Sequence, residues 1–140
     1  MTYYLDGSTY SYFPDERTMV NVAWLGPEHV FPIGHIPTEA LDHLFVVAMN
    51  QSNVTRGFHN CGLCDVQSPV RLSNVTVPEG VSLGWGELHV RGVDNLVYAA
   101  PSLIIHYIME HSYLPPADFI SACLHSTDVR QENASARTNN

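Results

Sequence analysis

The stretches Leu83-Gly84-Trp85-Gly86-Glu87-Leu88-His89-Val90-Arg91, Leu96-Val97-Tyr98-Ala99 and Pro101-Ser102-Leu103-Ile104-Ile105-His106-Tyr107-Ile108-Met109-Glu110-His111 decide the fold. The first two are rich in aliphatic and aromatic residues and have the composition of strands, at Leu83 to Arg91 and Leu96 to Ala99. In the third, Pro101 suits the first turn of a helix from Ser102 to about His111, where Ile104, Tyr107, Ile108 and His111 recur at helical spacing. Strand signals thus run together before helix signals begin, which is the pattern of an α+β domain.

Working toward the N-terminus, Val70 to Val77 and Val54 to His59 also have strand composition, so the middle of the chain is mostly sheet. Before them lies an amphipathic helix in which Leu41, Leu44, Phe45 and Ala48 share a face. Thr38 is placed as its N-cap, with Glu39 and Asp42 toward its positive end. Val20 to Leu25, ended by Gly26-Pro27, is expected to be the first strand. The first 20 residues carry Tyr3, Tyr4, Tyr10, Tyr12 and Phe13 among turn-formers and read as an arm or edge strand laying aromatics on the body.

Toward the C-terminus, Tyr113-Leu114-Pro115-Pro116 breaks the second helix. A third helix follows over about Ala117 to His125, with Phe119, Ile120, Cys123 and Leu124 expected inward. Residues 126–140 hold one branched aliphatic, Val129, and no aromatic. Such a segment cannot bury enough to offset its ordering entropy, so a disordered tail is expected beyond a single domain of residues 1–125. The expected architecture is a central, mostly antiparallel sheet with two or three helices packed on it.

Charge narrows the function classes. The 140 residues carry a formal net charge of −8, with six Arg and no Lys. Phosphate-backbone binding needs clustered cations, so nucleic acid is not an expected partner. A basic protein partner is, because an acidic surface steers one. No apolar run approaches the roughly 20 residues of a membrane helix, and the N-terminus lacks the cationic and apolar segments of a secretory signal. The expected location is cytoplasmic, which leaves the Asn-X-Ser/Thr triplets at Asn50, Asn53, Asn74 and Asn133 without meaning as glycosylation sites.

The chemistry centres on Cys61-Gly62-Leu63-Cys64. Cys-x-x-Cys lets one tight turn present two sulfurs, and imidazole and thiolate donors are what tetrahedral zinc takes. His106 and His111 form a second pair at a separation zinc sites use, giving a Cys2His2 set that would staple the sheet to the second helix. Two residues five apart on a regular helix diverge by about 140°, which puts simultaneous ligation in question. On the helical pattern His111 faces inward and His106 lies on a flank beside Leu103 and Glu110. His59, Glu87 and His89 are reserve ligands, the last two sharing a strand face because side chains repeat every second residue.

Rival readings of the cysteines fail on context. A thioredoxin-type redox pair needs a helix starting at the first cysteine, and Pro69 arrives too soon. The His-x-Glu and Pro-Cys-x-x-Cys halves of a zinc deaminase are missing, as are a His-Glu-x-x-His motif, a Gly-x-Ser-x-Gly elbow and a phosphate-cradling loop. Cys123, on the apolar stripe of the third helix, reads as core.

Asn21-Val22-Ala23-Trp24-Leu25, Thr55-Arg56-Gly57-Phe58-His59-Asn60-Cys61 and Tyr98-Ala99-Ala100-Pro101-Ser102-Leu103-Ile104-Ile105-His106-Tyr107-Ile108 resemble a family of short, uncharacterised bacterial proteins. The resemblance spans most of residues 1–125. It implies that the Cys-x-x-Cys turn, the Gly84-Trp85-Gly86-Glu87 strand and a helix bearing His106 and His111 recur together, in a bacterial setting and with no established activity. The function expected from all of this is a zinc-stabilised interaction or regulatory protein, immunity-like in neutralising a partner. The alternative is a metal-dependent enzyme in which Glu87 acts as acid or base beside a zinc-bound water.

Overall fold

A computed structural model describes residues 3–11, 17–55 and 57–125. Arg56, Tyr12, Phe13 and the expected tail at 126–140 lie outside them. The element order is β1 (Thr18–Asn21), α1 (Thr38–Ala48), β2 (Val70–Leu72), β3 (Val81–Leu83), β4 (Glu87–Arg91), β5 (Leu96–Pro101), α2 (Ile104–His111) and α3 (Ala117–His125). The fold is α+β, as the clustering of strand and helix signals implies.

The expected central sheet is divided in two. One sheet has the order β1-β5-β4, and β2 and β3 form a separate antiparallel pair. β4 and β5 pair antiparallel, Glu87 opposite Pro101 and Arg91 opposite Val97, while β1 joins β5 in parallel, Thr18 opposite Leu96. The β4–β5 hairpin closes through Asp94 and Asn95, both at positive φ (54° and 63°), with the Leu96 amide donating to Val93 O at 3.0 Å. Asp and Asn tolerate that left-handed conformation, and such a turn matches the twist of the strands it joins.

Gly84 is where the long strand expected over Leu83 to Arg91 breaks. Its φ is +130°, and a Cβ there would collide with the Ser68 side chain. A Cβ on Gly86 would likewise collide with Gln51. Only glycine allows so close an approach. The loop between the two sheets is gripped from both sides. The Ser102 hydroxyl accepts from the Gly84 amide at 2.9 Å, and the Ser102 amide donates to Gly86 O at 2.9 Å. On the other flank the Thr55 amide donates to Trp85 O at 3.0 Å and the His59 amide to Gly84 O at 2.6 Å. The strand expected over Val54 to His59 is not formed by its described residues, Arg56 aside: Thr55 bonds Trp85 O through its amide and its hydroxyl, and His59 bonds Gly84 O.

Other boundaries shift for local reasons. β1 ends at Asn21, short of the expected Leu25, because Ala23 sits at φ 68°. Pro37, not Thr38, occupies the N-cap position of α1, with no side-chain cap. Pro101 closes β5 instead of opening α2. β2 stops at Leu72, and the chain turns where Asn74 Oδ1 accepts from the Val77 amide at 2.7 Å.

The main core joins Leu44, Phe45 and Val47 of α1, Leu83, Leu88 and Val90 of the strands, Ile104, Ile105 and Tyr107 of α2 and Phe119 of α3. α2 is buried along Ile104 to Ile108, nearly all round, the signature of a helix enclosed by protein on most sides. In α3, Phe119 and Cys123 point inward as expected, whereas Leu124 is 41 % exposed.

Burial pushes the Cys123 thiol up from 9.0 to about 12. An unfolded thiol ionises near pH 9 while the folded one stays protonated. The stability from this group is therefore full below about pH 9 and falls as pH rises toward 12, by up to about 1.4 kcal/mol per pH unit. Replacing Cys123 by Ala is expected to flatten the decline of unfolding free energy between about pH 9.5 and 11 by roughly 1 kcal/mol per unit. Parallel slopes in denaturant titrations of the two proteins would refute it.

Candidate metal centre

Cys61 and Cys64 stand on a loop that belongs to no strand or helix and is closed at its base by side chains. The Ser68 hydroxyl donates to His59 O, the Ser68 amide donates to Asn60 Oδ1 at 2.8 Å, and Asn60 Nδ2 donates to Gln67 Oε1 at 3.2 Å. At its tip the Leu63 amide donates to Cys61 Sγ at 3.4 Å. This N–H to sulfur contact is what a Cys-x-x-Cys turn supplies to a charged thiolate. No helix follows Cys64, in keeping with the exclusion of a thioredoxin-type pair.

The partner histidines come from α2. His111 is its last residue, after which Ser112 turns left-handed (φ 54°) and the Tyr113 amide returns to Tyr107 O at 3.2 Å, a C-cap that fixes the final turn. The cysteine loop lies across the helix so that each sulfur meets one imidazole. Cys61 Sγ is 3.5 Å from His111 Nε2, and Cys64 Sγ is 3.4 Å from His106 Nε2. The two imidazoles converge with ring centroids 5.1 Å apart. The angular divergence on the helix is thus taken up by side-chain reach. Ligand atoms of Cys61, Cys64, His106 and His111 all lie within 4.8 Å of one another, and the group can hold a metal ion.

One expectation about orientation is reversed. His106, expected on a flank, is 4 % exposed, whereas His111, expected inward, is only half-buried. The helical wheel alone does not include the cysteine loop, which meets both histidines.

The electrostatics suit ligation. Burial lowers the His106 pKa and His111 lowers it further, against a smaller opposing effect of Glu110. The imidazole is kept in the neutral form that binds metal. Burial raises the Cys61 pKa, with the Leu63 amide opposing, so a cation that displaces the thiol proton would relieve a buried polar group. Tyr107 beneath the site is held protonated, by burial first and then by the two cysteines.

The reserve ligands are elsewhere. His59, Glu87 and His89 do not join the four-residue group among the described residues. Glu87 and His89 do share a strand face, as the period of two implies, and His89 Nε2 is 2.9 Å from Glu87 Oε1. The rest of that cluster could not be found in the sequence. Tyr10 hydroxyl donates to Oε1 and Oε2 of Glu87 at 2.9 and 3.0 Å, and Asn53 Nδ2 donates to Oε1 at 2.9 Å. Both come from distant segments with no spacing signal to link them.

No curated protein and no solved structure matches the chain. A family model described as a domain of unknown function (DUF7919) matches residues 2–124, and with the Cys-x-x-Cys turn and the two α2 histidines in place, the chain belongs to that family.

Proposed function

We propose that the protein is a zinc-stabilised interaction or regulatory module, in which a closed Cys2His2 zinc site ties the Cys61–Cys64 loop to α2. The observation that carries this reading is the pair of sulfur to nitrogen distances, 3.5 and 3.4 Å. For Zn–S of about 2.3 Å and Zn–N of about 2.0–2.1 Å, a tetrahedron separates S from N by about 3.6 Å. Two thiolates and two imidazoles in that arrangement favour zinc over harder or larger cations.

Four protein donors fill a tetrahedral zinc and leave no position for a reactive water, which argues for a structural metal. Glu87, the acid or base of an enzyme reading, is engaged by Tyr10, Asn53 and His89 instead. The role is then binding, and the net charge of −8 fits a basic protein partner held by charge complementarity, as an immunity-type inhibitor would hold its target.

Metal analysis of the purified chain tests the first half: about one zinc per chain is expected, falling to background in Cys64→Ser. Metal-free, fully stable protein sinks it. For the second half, a partner captured from the host must rebind the pure chain, with association slowing steeply as salt rises. Captures that yield no such partner count against the binding role.

A further inference from the structure

We propose that the cavity beside the Gly84–Gly86 loop is a binding site for a small organic cation, a primary ammonium on a short apolar stem, with the Glu87 carboxylate as its anchor. This site is separate from the cysteine and histidine cluster and does not depend on it. The cavity has a volume of about 240 Å³, with Tyr4, Trp24 and Trp85 contributing aromatic surface and Glu87, Asn53 and Thr55 polar groups.

Glu87 is 3 % exposed yet lines this cavity. Its two oxygens are unequally used. Among the described residues Oε1 takes contacts from Tyr10, Asn53 and His89, each at 2.9 Å, whereas Oε2 has a share of the Tyr10 hydroxyl at 3.0 Å. A carboxylate offers about four acceptor positions, so Oε2 retains capacity for a further donor. The three neighbours hold the carboxylate in one orientation; His89 Nε2, 2.9 Å from Oε1, is an ion-pair partner only when its imidazole is protonated, and it leaves Oε2 untouched. A buried carboxylate of this kind is best satisfied by a charged N–H donor.

The walls select the rest of the ligand. Trp24 is held by its indole N–H, which donates to Ala99 O at 2.9 Å, and Tyr4 stands edge-on to it at 5.7 Å between centroids. Trp85 stands against Phe58 at 4.6 Å. Faces of tryptophan and tyrosine attract a cation and cover an apolar stem. The two glycines matter here as well: their close packing on Ser68 and Gln51 sets the loop that carries Trp85 and leads into Glu87. A quaternary ammonium has no N–H for Oε2, and a neutral alcohol would bring a weaker, uncharged donor to it, which is why a primary amine is the committed class.

Calorimetric titration of the full chain with phenethylammonium and with 2-phenylethanol, its neutral counterpart, tests the proposal. Saturable binding of the ammonium is expected, at least tenfold tighter than the alcohol. In Glu87→Gln the ammonium should weaken at least tenfold and the alcohol stay unchanged. Because Glu87 also organises Tyr10 and Asn53, Trp85→Leu provides an independent variant with the carboxylate network intact, and it too should weaken the ammonium several-fold. Equal binding of amine and alcohol, no binding of either, or unchanged ammonium affinity in folded Glu87→Gln or in Trp85→Leu would each overturn the proposal.

Discussion

Treating the folded protein with a strong chelator is expected to lower its unfolding midpoint by at least about 10 °C, and readdition of zinc to restore it. Apart from the metal, the cysteine loop is held by the bonds of Ser68 and Asn60 at its base, by buried Cys61 and by the partial packing of Leu63 and Val66 on the core. Metal binding that occurs only in the folded state adds directly to folding free energy, and structural zinc contributes far more than any single contact. A loss of at least about 3 kcal/mol, at roughly 3–4 °C per kcal/mol for a domain of this size, gives the stated shift. Cys61→Ser should reproduce the chelated midpoint and become insensitive to chelator. A scanning-calorimetry midpoint that chelator leaves unmoved in the unaltered protein would remove the structural role assigned to the site.

The helices were legible from the sequence to different degrees, and the reasons are physical. α3 places an apolar stripe against the core and a polar face outward, and α1 does so in its first turns before being buried all round from His43 to Ala48, so periodicity finds both within a residue or two. The sequence places the start of α2 at Ser102, ahead of the observed Ile104, because Pro101 is acceptable both at a strand end and in a first helical turn. Its pairing with Glu87 across the hairpin decides the matter, and a local pattern does not contain that pairing. The strand expected over Val54 to His59 has the right composition, but Asn53 lies at φ 49° with its side chain drawn to Glu87, and the segment is used to brace the glycine loop.

The four residues that the structure brings together, Cys61, Cys64, His106 and His111, are the more legible part, since Cys-x-x-Cys spacing states a geometric purpose in four residues. What the spacing could not supply was the order of burial of the two histidines. Glu87 was visible as a carboxylate on a strand face shared with His89. Its aromatic and amide partners were not, because Tyr10 is 77 residues away and Asn53 34 residues away in the chain.

Asp6→Ala is expected to cost about 2–4 kcal/mol, although Asp6 lies on the N-terminal arm, where substitutions are usually tolerated. Its carboxylate joins two distant elements: Oδ1 accepts from the Ala23 amide at 2.8 Å and Oδ2 accepts from the Tyr113 hydroxyl at 2.8 Å. Ala23 and Tyr113 are both fully buried, and Ala23 is held at φ 68°, where a residue with a Cβ is strained by about 1–2 kcal/mol. Removing the carboxylate strips the acceptor from a buried amide and a buried hydroxyl together, each costing about 1–3 kcal/mol if left unpaired. Asp6→Asn retains one acceptor oxygen and should lose less. Tyr113→Phe removes the donor along with its need for a partner and should cost no more than about 1.5 kcal/mol. The double variant Asp6→Ala with Tyr113→Phe should then be more stable than the sum of the single losses, because the orphaned hydroxyl is gone. Urea unfolding with unchanged slope would measure all four. An Asp6→Ala protein within about 0.5 kcal/mol of the parent would show that the arm does not set the backbone at Ala23.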